Sequence, residues 1–189
     1  SQASQIHKKD KHIKGQKRYI NHKRFNNAYM QYASTSPFYP LFASLDVNAK
    51  MQEGKLGEKL WNDCLTVSTN ARKKIIEKCK YIKPFIPETV KGKNWEEAST
   101  EEIISNLDYW KFNPDEKWHG FKGYGKDQYY IDPNKFLLTT PGIDSKDDSY
   151  MTFGIPAVIL ANYLRENGII PEKNDLNSIL FLMTPAEDD

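Results

Sequence analysis

The sequence predicts an α/β protein in which helices pack against a sheet, and three observations carry that expectation. Along 55–80, Leu56, Leu60, Cys64, Val67, Ala71 and Ile75 recur at steps of three and four, the spacing of an apolar stripe on an amphipathic helix. The runs KFLLTT (135–140) and SILFLMTP (178–185) are short, apolar and rich in β-prone residues, as strands are. Between them, 155–166 returns to helical spacing and stops at Gly168, the residue type best suited to a helix C-terminus.

Taken in chain order, RFNNAYMQYA (24–33) fits a short helix. Ser34, Thr35 and Ser36 then lead into Pro37, and Leu41, Leu45, Asn48, Ala49 and Gln52 follow up to Gly54. This predicts a helix over 37–53, with Ser36 as N-cap and Pro37 in the first helical position. Pro84 and Pro87 end the helical region over 55–80. Residues 88–116 are polar and mixed, with a short helix expected at 99–107. KWHGF (117–121) and QYYID (128–132) read as strands ahead of KFLLTT, separated by Gly123, Gly125 and the Asp132-Pro133 turn. The stretch 141–153, rich in Asp and Ser, reads as a loop. On the helix at 155–166, Ile155, Val158, Ile159 and Tyr163 form the expected buried face. IIPEK (169–173) is strand-like, and the chain ends on AEDD just after the last strand. Residues 1–55 therefore read as the tail of one domain, and 56–189 as a second α/β unit incomplete at its C-terminus.

Composition narrows the function classes. The 27 basic and 25 acidic residues nearly cancel, so net charge argues for neither a nucleic-acid nor a membrane partner. The apolar runs GIPAVILA and SILFLM fall far short of the ~20 residues of a membrane span. The first twenty residues are polar and basic, without a signal-peptide core. Cys64 and Cys79 lie 15 residues apart on one expected helix, roughly 22 Å at helical rise, too far for a bridge. Both read as reduced thiols of a cytoplasmic protein. Two lone cysteines and four scattered histidines offer no metal set.

Few residues carry chemistry by spacing alone. Three successive hydroxyls, Ser34, Thr35 and Ser36, exceed what a helix cap needs, and a helix start with its free amides also welcomes a phosphate. Both readings stand, with the cap favoured by composition. Glu172, between Pro171 and Lys173, is by itself a surface carboxylate. His7 to Arg24 carries six lysines and two arginines against one acid, Asp10. A nucleic-acid-binding arm is one reading of that run, but only Tyr19 interleaves an aromatic, and a solvated surface is the other. Trp118-His119 reads as packing within a strand.

Several stretches together resemble a known family. SQASQIHKKD, NHKRFNNAYM, STSPFYPLFASLDVNAKM, KWHGF, LLTTPGI, FGIPAVILANYLRENGIIPEK and DLNSILFLMTPAE are similar to the bacterial ornithine/lysine/arginine decarboxylases, pyridoxal 5'-phosphate enzymes. SQIHKKD, STSPFYPLFASLDVNAKM and DLNSILFLMTPAE look most like the ornithine branch. The likeness spans nearly the whole chain, with 88–116 and 143–152 least characteristic.

The resemblance implies part of a fold-type-I, aspartate-aminotransferase-like enzyme. Residues 1–55 would close the large cofactor-binding domain and 56–189 would form most of the small α/β domain. It implies conversion of L-ornithine to putrescine and carbon dioxide in the cytoplasm, by a homodimer or a higher oligomer. The family's Schiff-base lysine lies in a His-Lys pair upstream of the SQ-SQIH stretch. No catalytic residue is therefore expected within this chain, and the chain alone is expected to be inactive and to lose the cofactor. Carried over by motif, Ser34, Thr35 and Ser36 would contact the cofactor phosphate of the neighbouring subunit. Glu172, in the G-I-x-x-E-K stretch, would face the substrate's distal ammonium. The alternatives are a nucleic-acid module using the basic arm, and a non-catalytic, decarboxylase-like assembly piece.

Overall fold

The computed structural model describes residues 6–8, 12, 19–34 and 36–185. They divide into two compact units, residues 1–57 and 58–189. Half of the basic run 7–24, and Thr35, lie outside the described residues.

The first unit contributes two helices. Helix α1 (His22–Tyr32) starts where the Asn21 side chain accepts the Lys23 backbone N–H at 2.9 Å, satisfying one of the orphan amides of its first turn. Helix α2 (Tyr39–Met51) starts two residues later than the sequence predicts, with Phe38 at its N-cap and no side-chain cap. Pro40 explains the shift. Had Ser36 capped the helix, Pro40 would stand where an N–H must close the first turn onto the Ser36 carbonyl, and proline has none. Starting at Tyr39 puts Pro40 inside the first turn, where no N–H is required. Neither helix buries a residue. Gly54, at φ +64°, takes the left-handed turn that separates α2 from α3 (Gly54–Lys78).

The second unit is built on a four-stranded antiparallel sheet. Strand β1 (Lys83–Pro84) leads into a hairpin of β2 (Thr89–Val90) and β3 (Lys93–Asn94). Its two linking residues, Lys91 and Gly92, have φ of 52° and 81°, the positive pair a type I′ turn demands. Helix α4 (Thr100–Ser105) follows, capped by Ser99, which accepts the Glu102 N–H at 3.1 Å. Then come β4 (Lys135–Thr139), the hairpin of β5 (Ile143–Asp144) and β6 (Ser149–Tyr150), α5 (Ala157–Glu166), β7 (Lys173–Asn174) and β8 (Ser178–Leu182). The sheet order is β1-β4-β8-β7. The sequence expectation of a helix-and-sheet protein stands, and β4, β8, α3 and α5 fall where spacing placed them.

Other expectations are corrected. KWHGF is no strand: Gly120 turns at φ +72° and its N–H bonds Lys117 O at 3.2 Å, so Trp118 and His119 sit in a tight turn. QYYID contributes a single bridge, Tyr130 to Lys111. Strand β7 covers only the end of IIPEK. On α5 the buried residues are Ala157 and Ala161, packed with Leu160 and Leu164 around Ile179. Val158, Ile159 and Tyr163, expected inside, are 50%, 61% and 62% exposed. Two alanines let the helix backbone approach the sheet more closely than bulky β-branched residues allow, and that selects the buried side.

The core of this unit comes largely from 88–116, which reads as polar. Trp95 and Ile103 are fully buried among Ile86, Val90, Ala98, Tyr109, Trp110, Trp118 and Ile131. Each buried indole N–H is satisfied: Trp95 donates to Tyr109 O at 3.1 Å and Trp110 to Ile103 O at 2.9 Å. Arg72 on α3, 1% exposed, joins the helix to the sheet. It donates to Pro133 O at 3.0 Å and to Lys135 O at 3.2 Å, and also to the Ser68 hydroxyl. Its guanidinium lies 4.6 Å from the Phe136 ring centre and 5.2 Å from that of Trp110. Burial pushes its pKa down to about 9, with Asp132 pulling the other way, so it stays a cation at neutral pH.

Candidate functional site

Ser34 and Ser36 lie in the segment between α1 and α2, and both are exposed. Ala33 closes α1 through its N–H to Tyr29 O at 3.0 Å, and Pro37 forces the residue before it into extended backbone. The two hydroxyls are thus delivered just ahead of the N-terminus of α2. No acid occupies its first turn, so the free amides and helix dipole there meet no competing carboxylate. Ser36 does not cap α2, and among the described residues its hydroxyl meets no other acceptor. The arrangement suits an anion.

Glu172 is placed by backbone structure. Helix α5 ends with Gly168 at φ +82°. The Ile169 N–H bonds Leu164 O at 2.9 Å and the Gly168 N–H bonds Arg165 O at 3.1 Å, the paired bonds of a Schellman close. Buried Pro171 follows, and the Glu172 N–H bonds Leu180 O at 2.9 Å, at the edge of the sheet. The carboxylate side chain is exposed, and no ion-pair partner is found for it among the described residues. A free carboxylate on a fixed backbone suits a cation. The hydroxyl pair belongs to the first unit and Glu172 to the second.

Two further polar clusters lie in the second unit. A cavity of about 310 Å³ is lined by Lys91, Asp108, Lys111, Lys126 and Asp127, among others. Asp108 receives Lys91 and Lys111, each at 2.9 Å, and Lys111 also reaches Asp127 at 2.9 Å. These ammoniums hold the Asp108 carboxyl down at about 2, and Asp108 with Asp127 raises the Lys111 pKa. Lys91, Asp108, Lys111 and Asp127 satisfy one another, so this network fastens loops. Its only sequence signal is the Asp108/Lys111 spacing. The second cluster surrounds His119, which is 3% exposed. Its Nδ1 accepts the Phe121 N–H at 3.0 Å, and its Nε2 faces Asn113 O and the Tyr124 hydroxyl, both at 3.0 Å. The neighbours therefore assign the proton to Nε2. Burial pushes the Tyr124 phenol up, with Glu116 adding to it. Among the described residues no group of three or more metal-type ligands forms, and no helix is long and apolar enough to cross a membrane.

Comparison with known proteins bears on these features. The family model described as "Orn/Lys/Arg decarboxylase, major domain" matches residues 1–189. The chain is 65% identical over 187 residues to an ornithine decarboxylase of Haemophilus influenzae, spanning 99% of this chain and 26% of that protein. It is 36% identical over 185 residues to the inducible lysine decarboxylase of Escherichia coli, spanning 97% of this chain and 23% of that protein. Among solved structures it resembles the Francisella novicida lysine decarboxylase LdcF with a TM-score of 0.70 at 30% identity, over 89% of this chain and 22% of that one. The chain thus spans about a quarter of the length of the curated relatives it matches.

Proposed function

The chain belongs to the Orn/Lys/Arg decarboxylase family, and from that premise we propose that it is part of an ornithine decarboxylase that converts L-ornithine to putrescine and carbon dioxide. One observation carries the choice of substrate: 65% identity to an ornithine decarboxylase against 36% to a lysine decarboxylase over the same stretch of chain. In this reading residues 1–55 close the large domain and 56–189 form most of the small domain of a fold-type-I enzyme. The protein works in the cytoplasm as a homodimer.

The cofactor of this reading is pyridoxal 5'-phosphate, which when bound supplies an electron sink for the pair left behind as the carboxylate departs as carbon dioxide. The residues of the first unit fit its phosphate. Ser34 and Ser36 are exposed, lie ahead of a thirteen-residue helix, and have no acid beside them in its first turn. Their hydroxyls donate to phosphate oxygens, with Thr35 as the third donor, on the cofactor of the neighbouring subunit. Held there, the phosphate would be anchored by Ser34 and Ser36 at the start of α2, which would restrict the freedom of the bound group.

Glu172 receives the distal ammonium of ornithine. At ~4 Å and an effective dielectric near 20, such a pair is worth about 4 kcal/mol before desolvation costs. Left exposed, the same pair gives roughly 0–1 kcal/mol. Ornithine and lysine differ by one methylene, which a pocket distinguishes by only about 1–3 kcal/mol. Chain length would therefore be read by where the carboxylate stands, a reading supported by the Glu172 backbone N–H being tied to Leu180 O.

The test is steady-state decarboxylation by the full-length enzyme. We expect a higher kcat/KM for ornithine than for lysine, and Glu172→Gln should raise KM for ornithine while lowering kcat. Preference for lysine would overturn the substrate assignment. Constants for Glu172→Gln within a factor of about two of the unmodified enzyme, ~0.4 kcal/mol, would overturn the role of Glu172.

A further inference from the structure

The four-stranded sheet has two unequal faces. Directly paired residues of antiparallel strands share a face. Phe136 pairs with Phe181 and Leu138 with Ile179, and this face is closed: Arg72 of α3 lies over Phe136, and α5 packs on Ile179 and Phe181. Phe136, Leu138 and Ile179 are 6%, 6% and 0% exposed. On the opposite face Leu137 pairs with Leu180, Lys135 with Leu182 and Thr139 with Ser178. Lys83 joins them opposite Thr139, and Lys173 opposite Leu180. Here Leu137 and Leu180 are half-buried and Leu182 is 38% exposed. A leucine centre is thus bordered by three exposed lysines, Lys83, Lys135 and Lys173. None of the three has an ion-pair partner among the described residues.

The plain alternative is a solvated sheet face, common in antiparallel sheets. Such a face carries polar residues at its centre, whereas this one places Leu137 against Leu180 with Leu182 beside them. A sheet with apolar residues on both faces takes a second layer. The lysine border selects the chemistry of that layer, which must bring carboxylates to the rim and apolar side chains to the middle. It also argues against a second copy of the same face, since a two-fold contact sets like charges against each other. The relatives are about four times the length of this chain, so ample polypeptide exists to supply the layer. A tethered segment reaches the face at high effective concentration, which a separate partner lacks.

We propose that the Leu137/Leu180/Leu182 face is a docking surface for a carboxylate-bearing apolar segment of the same polypeptide, lying outside residues 1–189. The inference rests on strand register and on the length of the relatives, and it stands apart from the choice of substrate.

The test uses the full-length protein, mixed from ¹⁴N- and ¹⁵N-labelled preparations and treated with a zero-length carbodiimide cross-linker. Mass spectrometry should find Lys83, Lys135 and Lys173 joined to Asp or Glu residues outside 1–189, with both peptides carrying the same isotope. In parallel, amine acetylation of the three lysines should run at least about tenfold slower in the native protein than in the urea-unfolded one. Equal acetylation rates would mean a solvated face and would overturn the proposal. So would mixed-isotope cross-links, which would assign the face to a second copy. Cross-links confined to residues 1–189 would overturn it as well.

Discussion

Replacing Arg72 with methionine tests how the long helix is bound to the sheet. The substitution keeps an unbranched chain of similar length in the buried site, so cavity formation is small and the loss is polar. Two contacts to carbonyls of β4 and the turn before it disappear, at Lys135 O and Pro133 O. Each is a charge-assisted bond worth roughly 1.5–3 kcal/mol. The guanidinium also sits over Phe136 and Trp110, adding about 2 kcal/mol for each well-buried ring. Together these favour the arginine by roughly 7–10 kcal/mol. Against them stands the cost of burying the cation. The fall of its pKa from 12.5 to about 9 corresponds to roughly 5 kcal/mol. The net loss is about 2–5 kcal/mol, matching the cost of breaking a buried charged network by removing one member. Pro133 O keeps its bond from the Ser68 hydroxyl at 2.9 Å, which favours the lower half of that range. The assay is urea unfolding followed by tryptophan fluorescence, in which buried Trp110 reports directly on the site. Arg72→Met as stable as the unmodified protein, or more so, would show that packing alone holds α3 to the sheet.

Other expectations follow from single positions. Gly120 and Gly168 share a left-handed backbone, with φ of 72° and 82°. An added Cβ at Gly120 lies 2.2 Å from Ser145 O, while at Gly168 it meets nothing within 4 Å. Gly168→Ala should therefore cost about 1–2 kcal/mol of strain, and Gly120→Ala clearly more; equal melting temperatures would refute the distinction. Asp108 titrates at about 2 when folded, below its ordinary value near 3.9. Its ion pairs therefore stabilise fully above pH ~4 and are lost as pH falls toward ~2, a contribution of ~1 kcal/mol or less for a pair this exposed. Asp108→Asn should lose that contribution at every pH above ~4 and converge with the unmodified protein as pH falls to ~2; an offset that persists at pH ~2 would point elsewhere. Ser34→Ala with Ser36→Ala should weaken retention of pyridoxal 5'-phosphate in the full-length enzyme, measured by equilibrium dialysis. Unchanged retention would remove these hydroxyls from the phosphate site.

The parts of the fold legible in sequence are those in which a single periodicity or a single residue type decides. The stripe from Leu60 to Ile75 could only be a helix, and Gly168 stops α5 because it adopts φ +82° at little cost. Legibility fails where two patterns overlap. Helix α5 carries two apolar stripes, and the choice between Ala157/Ala161 and Val158/Ile159 depends on how closely the sheet lets a helix approach, which is not a local property. KWHGF has the composition of a strand, but Gly120 turns the backbone and the aromatic rings serve a cluster: Trp118 lies 5.0 Å from Phe85 and stacks on Phe112 at 5.6 Å. Ser36 has the composition of a cap, and a proline four residues on decides otherwise. For the candidate site, the hydroxyls and Glu172 were picked out by motif resemblance. Local spacing alone marks Ser34, Thr35 and Ser36 as a cap or an anion site and leaves Glu172 a surface carboxylate.

His119 has a consequence for any search for acid–base chemistry in this segment. One ring nitrogen receives a backbone N–H and the other faces a carbonyl and a phenol, so both ring nitrogens are committed to neighbours within the turn. The residue type most often credited with shuttling protons is here a fastener, as fixed in its duty as a backbone peptide.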